Sequence, residues 1–147
     1  MDKAQMQKLA SIARTAGVSW SYYACLADAQ LHDQPLDAEL VAERIYADAM
    51  LVRKARLYKY KEDAINNAAT GDTASRMLRA RYFATCNGAL DDYALYIEEC
   101  VLSVHPFDLE HCVETVFKTA IAKYEWHLSH KILIATGIAV GGENAVQ

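Results

Sequence analysis

Apolar residues recur at helical spacing in five stretches of the chain, and each stretch predicts a helix. In the first, about Lys3 to Ala16, Met6, Leu9, Ala10, Ile12, Ala13 and Ala16 form one stripe and Gly17 is the stop. The second runs from Ser19, taken as its cap, to about Leu31. It is apolar on nearly every side, through Trp20, Tyr22, Tyr23, Cys25, Leu26 and Leu31, which predicts a central helix or one lying under two surfaces. His32-Asp33-Gln34-Pro35 ends it.

The third stretch opens with Pro35 near the first helical position and with Asp37 and Glu39 in the first turn. It continues to about Ala68, roughly 50 Å of helix. Leu40, Val41, Ile45, Leu51, Val52, Ala55, Tyr58 and Ile65 are its predicted inner side. Asn67-Ala68-Ala69-Thr70-Gly71 turns the chain, and Asp72 or Thr73 caps the next helix. The fourth stretch runs to His105. Asn87-Gly88 is a break signal, yet Leu78, Tyr82, Cys86, Leu90, Tyr93, Ile97, Val101 and Val104 keep phase across it, so one helix is predicted, with Ala84 and Gly88 as a close-approach point. Pro106 ends it. The fifth runs from about Asp108 to Ala135 on Leu109, Val113, Val116, Ala120, Tyr124, Leu128 and Ala135.

These elements predict an all-α fold: an antiparallel bundle of about five helices, three of them long, occupying residues 1–136 as one domain, followed by a flexible tail over 137–147. Composition agrees. Hydrophobic residues make up 53% of the 147 and there are only 2 prolines, which favours a packed helical core over disorder. Residues 1–7 lack the apolar core of a secretion signal and no apolar run is long enough to span a bilayer, so a cytosolic location is expected and no membrane. Cys25, Cys86, Cys100 and Cys112 show no C-x-x-C spacing and read as reduced core thiols.

Charge changes the picture more than composition does. Eight of the 15 Lys and Arg fall between residues 53 and 81, opposed only by Glu62, Asp63 and Asp72. Residues 82–117 carry seven acids and no Lys or Arg, and residues 25–52 carry six acids against Arg44. Folding the third and fourth stretches back on each other gathers the bases at one end and the acids at the other. Such a field can orient a partner. Arg53, Lys54, Arg56, Lys59, Tyr60, Lys61, Arg76 and Arg79 are therefore candidate partner-binding residues. Basic residues with interleaved tyrosines also suit nucleic acid, although the sequence pI of about 5.7 argues against a dedicated nucleic-acid binder. In that stretch Tyr58 is expected to face the core and Tyr60 outward.

Apolar surface exceeds what one small core needs. Trp126 lies off the main stripe of the last helix, with Ala122 and Leu133 beside it, and Leu95 and Tyr96 widen the face of the fourth stretch. Trp20, Tyr22, Trp126 and Leu133 are the candidate apolar interface, and self-association is expected.

Chemistry is harder to find. No Glu has a His three residues later, which disfavours a di-iron bundle site. His105, His111, Glu98 and Glu114 form the only metal-ligand grouping suggested by the connection near residue 106, and they read more simply as surface residues. His127 is expected to be a hydrogen-bonded core residue, and Asp48 to pair with Arg44 one turn earlier. There is no Gly-rich phosphate loop and no G-x-S-x-G, and the neighbours His111 and Cys112 point about 100° apart on a helix. No catalytic residue, metal or cofactor is assigned. The expected function is a non-catalytic interaction protein, an adaptor, regulator or inhibitor of a protein partner. A nucleic-acid accessory role stands second and a metal-dependent bundle enzyme third.

Overall fold

A computed structural model describes residues 2–68 and 71–141; Ala69, Thr70 and residues 142–147, part of the predicted turn and tail, lie outside the described residues. All regular structure among the described residues is helical: α1 Lys3–Thr15, α2 Ser19–Leu31, α3 Ala38–Ala68, α4 Thr73–Cys86, α5 Leu90–Leu102 and α6 Leu109–Thr136. No helix is long and apolar enough to cross a membrane.

The fourth predicted helix is two helices. Asn87 closes α4 by donating its side-chain amide to the Phe83 carbonyl (2.8 Å), and the Ala89 amide reaches back to the Ala84 carbonyl (2.9 Å). Between them Gly88 stands at φ +67°, a conformation that a residue with a Cβ adopts at a cost. A Cβ there would meet nothing within 4 Å. Gly88 therefore serves the backbone turn and not the close helix approach expected of it. Gly88→Ala is expected to cost about 1–2 kcal/mol from the left-handed backbone alone, measurable by urea unfolding, with no steric contribution on top.

The caps show the same local logic. Asp72, as expected, caps α4 by accepting from the Ser75 amide (2.8 Å), and Asp37 accepts from the Glu39 amide (2.9 Å) at the start of α3. Ser19 is the first residue of α2 and not its cap; the cap position is Val18, whose side chain has no group to offer and is fully buried.

The chain gathers into two compact units, Met1–Arg53 with Tyr124–Gln147, and Lys54–Lys123; α3 and α6 contribute to both. In the first unit the core is built on Met6, Leu9 and Ile12 of α1, Val18, Val41, Ile45, Ala49 and Met50 of α3, and Leu128 and Ile132 of α6. Polar contacts tie its helices: Gln5 Nε2 to the Thr136 carbonyl (2.8 Å), Ser21 Oγ to Asp48 (2.7 Å), and Arg44 to both Asp28 (3.7 Å) and, as expected, Asp48 (3.6 Å). Val140 is buried and Gly141 lies against the Tyr46 hydroxyl, so the predicted tail begins as packed chain.

In the second unit Ala80, Phe83 and Ala84 of α4, Ala89, Tyr96 and Cys100, and Leu109, Cys112, Val113 and Val116 of α6 form one core cluster, with Ala64 and Ile65 of α3 packed on it. Lys61 Nζ donates to Glu114 (2.8 Å) and sits 4.6 Å from the Phe117 ring centroid. That hydrogen bond, with the Lys61 charge behind it, holds the Glu114 carboxyl below the usual range.

Several apolar positions face the other way from the sequence reading. Leu40, Leu51, Tyr58, Leu78, Tyr82, Val101 and Val104 are exposed, and smaller residues such as Ala42, Ala49, Ala80 and Ala84 are buried in their place. Alanines let helices approach closely, and the larger side chains are left on the outer face. Tyr96, predicted at the margin, is in the core, and His127, predicted inside, is exposed. α2 is not central: only Ser21 is fully covered. Of the thiols, Cys100 and Cys112 are core residues, Cys25 is half-buried and Cys86 is exposed. Burial drives the Cys112 thiol up to about 12.

Candidate functional site

Two surfaces collect the residues singled out above, one in each unit.

In the second unit the end of α3 and the length of α4 enclose an open groove of about 490 Å³ lined by Tyr60, Asp63, Ala64, Arg79, Tyr82, Phe83, Cys86 and Asn87. The lining thus draws on both basic stretches, α3 through Tyr60, Asp63 and Ala64 and α4 through Arg79, Tyr82, Phe83 and Cys86. Tyr60 and Tyr82 are both largely exposed. The Tyr82 phenol, hydrogen-bonded to the Cys86 side chain, is held above its ordinary value. Helical spacing places Arg56 on the Tyr60 side of α3, one turn earlier.

The basic residues divide by what they touch. Lys54, Arg56, Lys59, Arg79 and Arg81 are exposed, and among the described residues none forms an ion pair. Lys61 is committed to Glu114. Arg53 belongs to the other unit, where its guanidinium lies 5.1 Å over the Tyr124 ring with a buried Nε that has no hydrogen-bond partner. Arg76 is half-buried. Of the eight predicted partner-binding residues, Tyr60 and Arg79 line the groove, Lys54, Arg56 and Lys59 stay in solvent, Arg76 is half-buried, and Arg53 and Lys61 turn inward. Tyr82 and Cys86 were missed, because their phase matched an apolar stripe. The acids are split: those of 82–117 share the unit of the basic groove and those of 25–52 lie in the other.

In the first unit the large apolar side chains form two outward strips. Trp20, Tyr23, Ala27 and Leu31 recur at three- and four-residue intervals on one face of α2, and all are exposed, Trp20 by 53% and Leu31 by 78%. On α6, Trp126, Leu133 and Ile134 face outward, Trp126 by 56%. Trp126 is nevertheless held in place. His130 stacks on its ring at 3.9 Å between centroids and 23° between planes, and His130 Nδ1 sits 3.0 Å from the Trp126 carbonyl, which it can only meet as a donor. Tyr22 is half-buried and packs edge-on to Tyr23 at 5.5 Å. Of the four candidate interface residues, Trp20, Trp126 and Leu133 are exposed and Tyr22 is half-buried. Tyr23, Leu31 and Ile134 are exposed as well.

Three of the four residues of the suggested metal grouping have other contacts, and Glu98 is exposed. Glu114 pairs with Lys61, and the rings of His105 and His111 pack 6.3 and 5.3 Å from Tyr96. Among the described residues no group of three or more His, Cys, Asp or Glu is arranged to hold a metal ion. No protein-family model, curated protein or solved structure matches the chain.

Proposed function

We propose that the chain is a non-catalytic helical interaction protein that self-associates through the aromatic strips of its first unit and acts as an adaptor or regulator. The observation that carries this reading is the exposure of both tryptophans, Trp20 and Trp126. Tryptophan buries more apolar area than any other side chain and is a frequent anchor at interfaces. A ring stacked on its own helix, as Trp126 is on His130, loses little freedom when a partner covers it.

The α2 strip favours a second copy as its cover. Asp28 is the one charged side chain of α2, and it turns to Arg44. Two copies meeting there bring no like charges together, and an uncharged strip is self-complementary about a two-fold axis.

Sedimentation equilibrium of the full chain tests this. The expected result is a mass that rises from monomer to dimer with concentration. Trp20→Ala or Trp126→Ala should weaken the dimer by about 2 kcal/mol or more, some 30-fold in dissociation constant. A monomer mass for the native chain at every concentration tolerated would overturn the reading.

A further inference from the structure

The groove of the second unit has a chemistry that self-association does not use. Its two walls present one tyrosine each, Tyr60 from α3 and Tyr82 from α4, with Arg79 and Asn87 also in the lining. On α3, Arg56, one turn before Tyr60, and its neighbour Lys59 are exposed, and no acid among the described residues is paired with them. Asp63 is the single carboxylate in the lining. Cations left unpaired by a chain with a surplus of acids call for an anion from outside. We infer that this groove binds single-stranded nucleic acid, with bases stacked on Tyr60 and Tyr82 and phosphates held by Arg79 and its neighbours.

Charge complementarity selects a polyanion, and the tyrosines choose among polyanions. A carboxylate-rich peptide would be satisfied by the arginines and would gain little from two exposed phenol rings. A base has a flat face of its own, and stacking on an aromatic side chain is tolerant of sequence. The two rings stand on opposite walls of an open groove, so a strand can enter without a duplex having to melt inside it. A duplex offers its phosphates but hides its base faces, and it would leave both rings unused. The volume lies within the range of ordinary ligand sites and suits one or two nucleotides, with Arg56 and Lys59 within reach of phosphates on the α3 side.

Fluorescence anisotropy with a labelled oligothymidine is the test, using the full chain, with polyglutamate and a mononucleotide as competitors. Binding is expected to weaken roughly 20-fold between 50 and 200 mM salt if about three phosphates are neutralised. Tyr82→Ala and Tyr60→Ala should each weaken it by about tenfold, and Arg79→Glu by more, with helical content unchanged. Cys86 lines the groove and is exposed, so the oligonucleotide should slow its alkylation, read by peptide mass, and leave the rate at the half-buried Cys25 unchanged. Absence of binding at low salt overturns the inference. So does binding that survives both tyrosine variants and yields to polyglutamate, which would mark the surface as an acidic-peptide site. The alkylation readout places any binding at the groove, and the tyrosine variants leave the first unit untouched, so failure here is distinct from failure to dimerise.

Discussion

Ile132→Ala is expected to lower unfolding free energy by about 2–5 kcal/mol, while Trp126→Ala, a larger truncation on the same helix, should change the stability of the monomer by less than about 1 kcal/mol. The contrast follows from position. Ile132 is fully buried in the core of the first unit, and removing its side chain both returns the loss of apolar transfer and leaves a cavity that rigid helices only partly fill. Trp126 packs against His127 and His130 of its own helix and is otherwise mostly exposed. Urea unfolding at low protein concentration, where any dimer has dissociated, separates the two. Should Trp126→Ala cost as much as Ile132→Ala, the tryptophan is a core residue and the interface argument fails.

Tyr96 is the second position where a large effect is expected, and two variants divide it. Tyr96 is buried, its ring packs 5.8 Å from Phe107, and its hydroxyl accepts from the Asp108 amide (3.0 Å), tying α5 to the start of α6. Tyr96→Ala should cost about 3–5 kcal/mol, and Tyr96→Phe, which keeps the ring and leaves the Asp108 amide without its acceptor, about 1–2 kcal/mol. Alkali adds a second signature. Burial pushes the Tyr96 phenol up to about 12, with the Asp108 hydrogen bond opposing. The folded state therefore favours the neutral phenol. Its contribution is whole below the ordinary value of 10 and is lost as pH rises from there toward 12. Tyr46 and Cys112 are raised to about 12 as well, both chiefly by burial. Stability should fall across this window, and less steeply in Tyr96→Phe, which removes one of the three groups.

The sequence was most legible where one residue type has one structural use. Gly17 follows the end of the first helix and stands at positive φ, and Asp72 caps α4. The last helix was legible in part: Leu109, Val113, Val116, Ala120 and Leu128 are buried as their spacing predicts, whereas Ile132 is buried outside that stripe and His127 is exposed. α3 was less legible, because apolar residues lie on two of its faces. Leu40, Leu51 and Tyr58 form one stripe and Val41, Ile45 and Ala49 another, and periodicity cannot rank them. The predicted inner side took members of both; Val41 and Ile45 are buried, with Ala42 and Ala49 beside them, and Leu40, Leu51 and Tyr58 are exposed.

The helix break at Asn87-Gly88 was hidden for a similar reason. Leu78, Tyr82 and Cys86 continue in phase into Leu90, so the stripe looked continuous, but most of that stripe faces solvent and records nothing about the core. The true core residues, Phe83, Ala84, Ala89, Tyr96 and Cys100, change phase at the glycine. The same error hid half of the groove, since Tyr82 and Cys86 were counted as interior. The exposure of Trp20 and Trp126 agrees with their placement off the core, whereas the exposure of Ile134 and the stacking of His130 on Trp126 depend on which way α6 is turned.

Tryptophan emission against protein concentration tests the central claim most directly, because the chain has two tryptophans and both lie at the proposed contact. The emission maximum should stand at the value of a solvated indole in dilute solution and move to shorter wavelength as copies associate, with the shift reduced in Trp20→Phe and in Trp126→Phe alike. A maximum that stays at the solvated value to the highest concentration, or at a buried value in the most dilute monomer, would contradict the account.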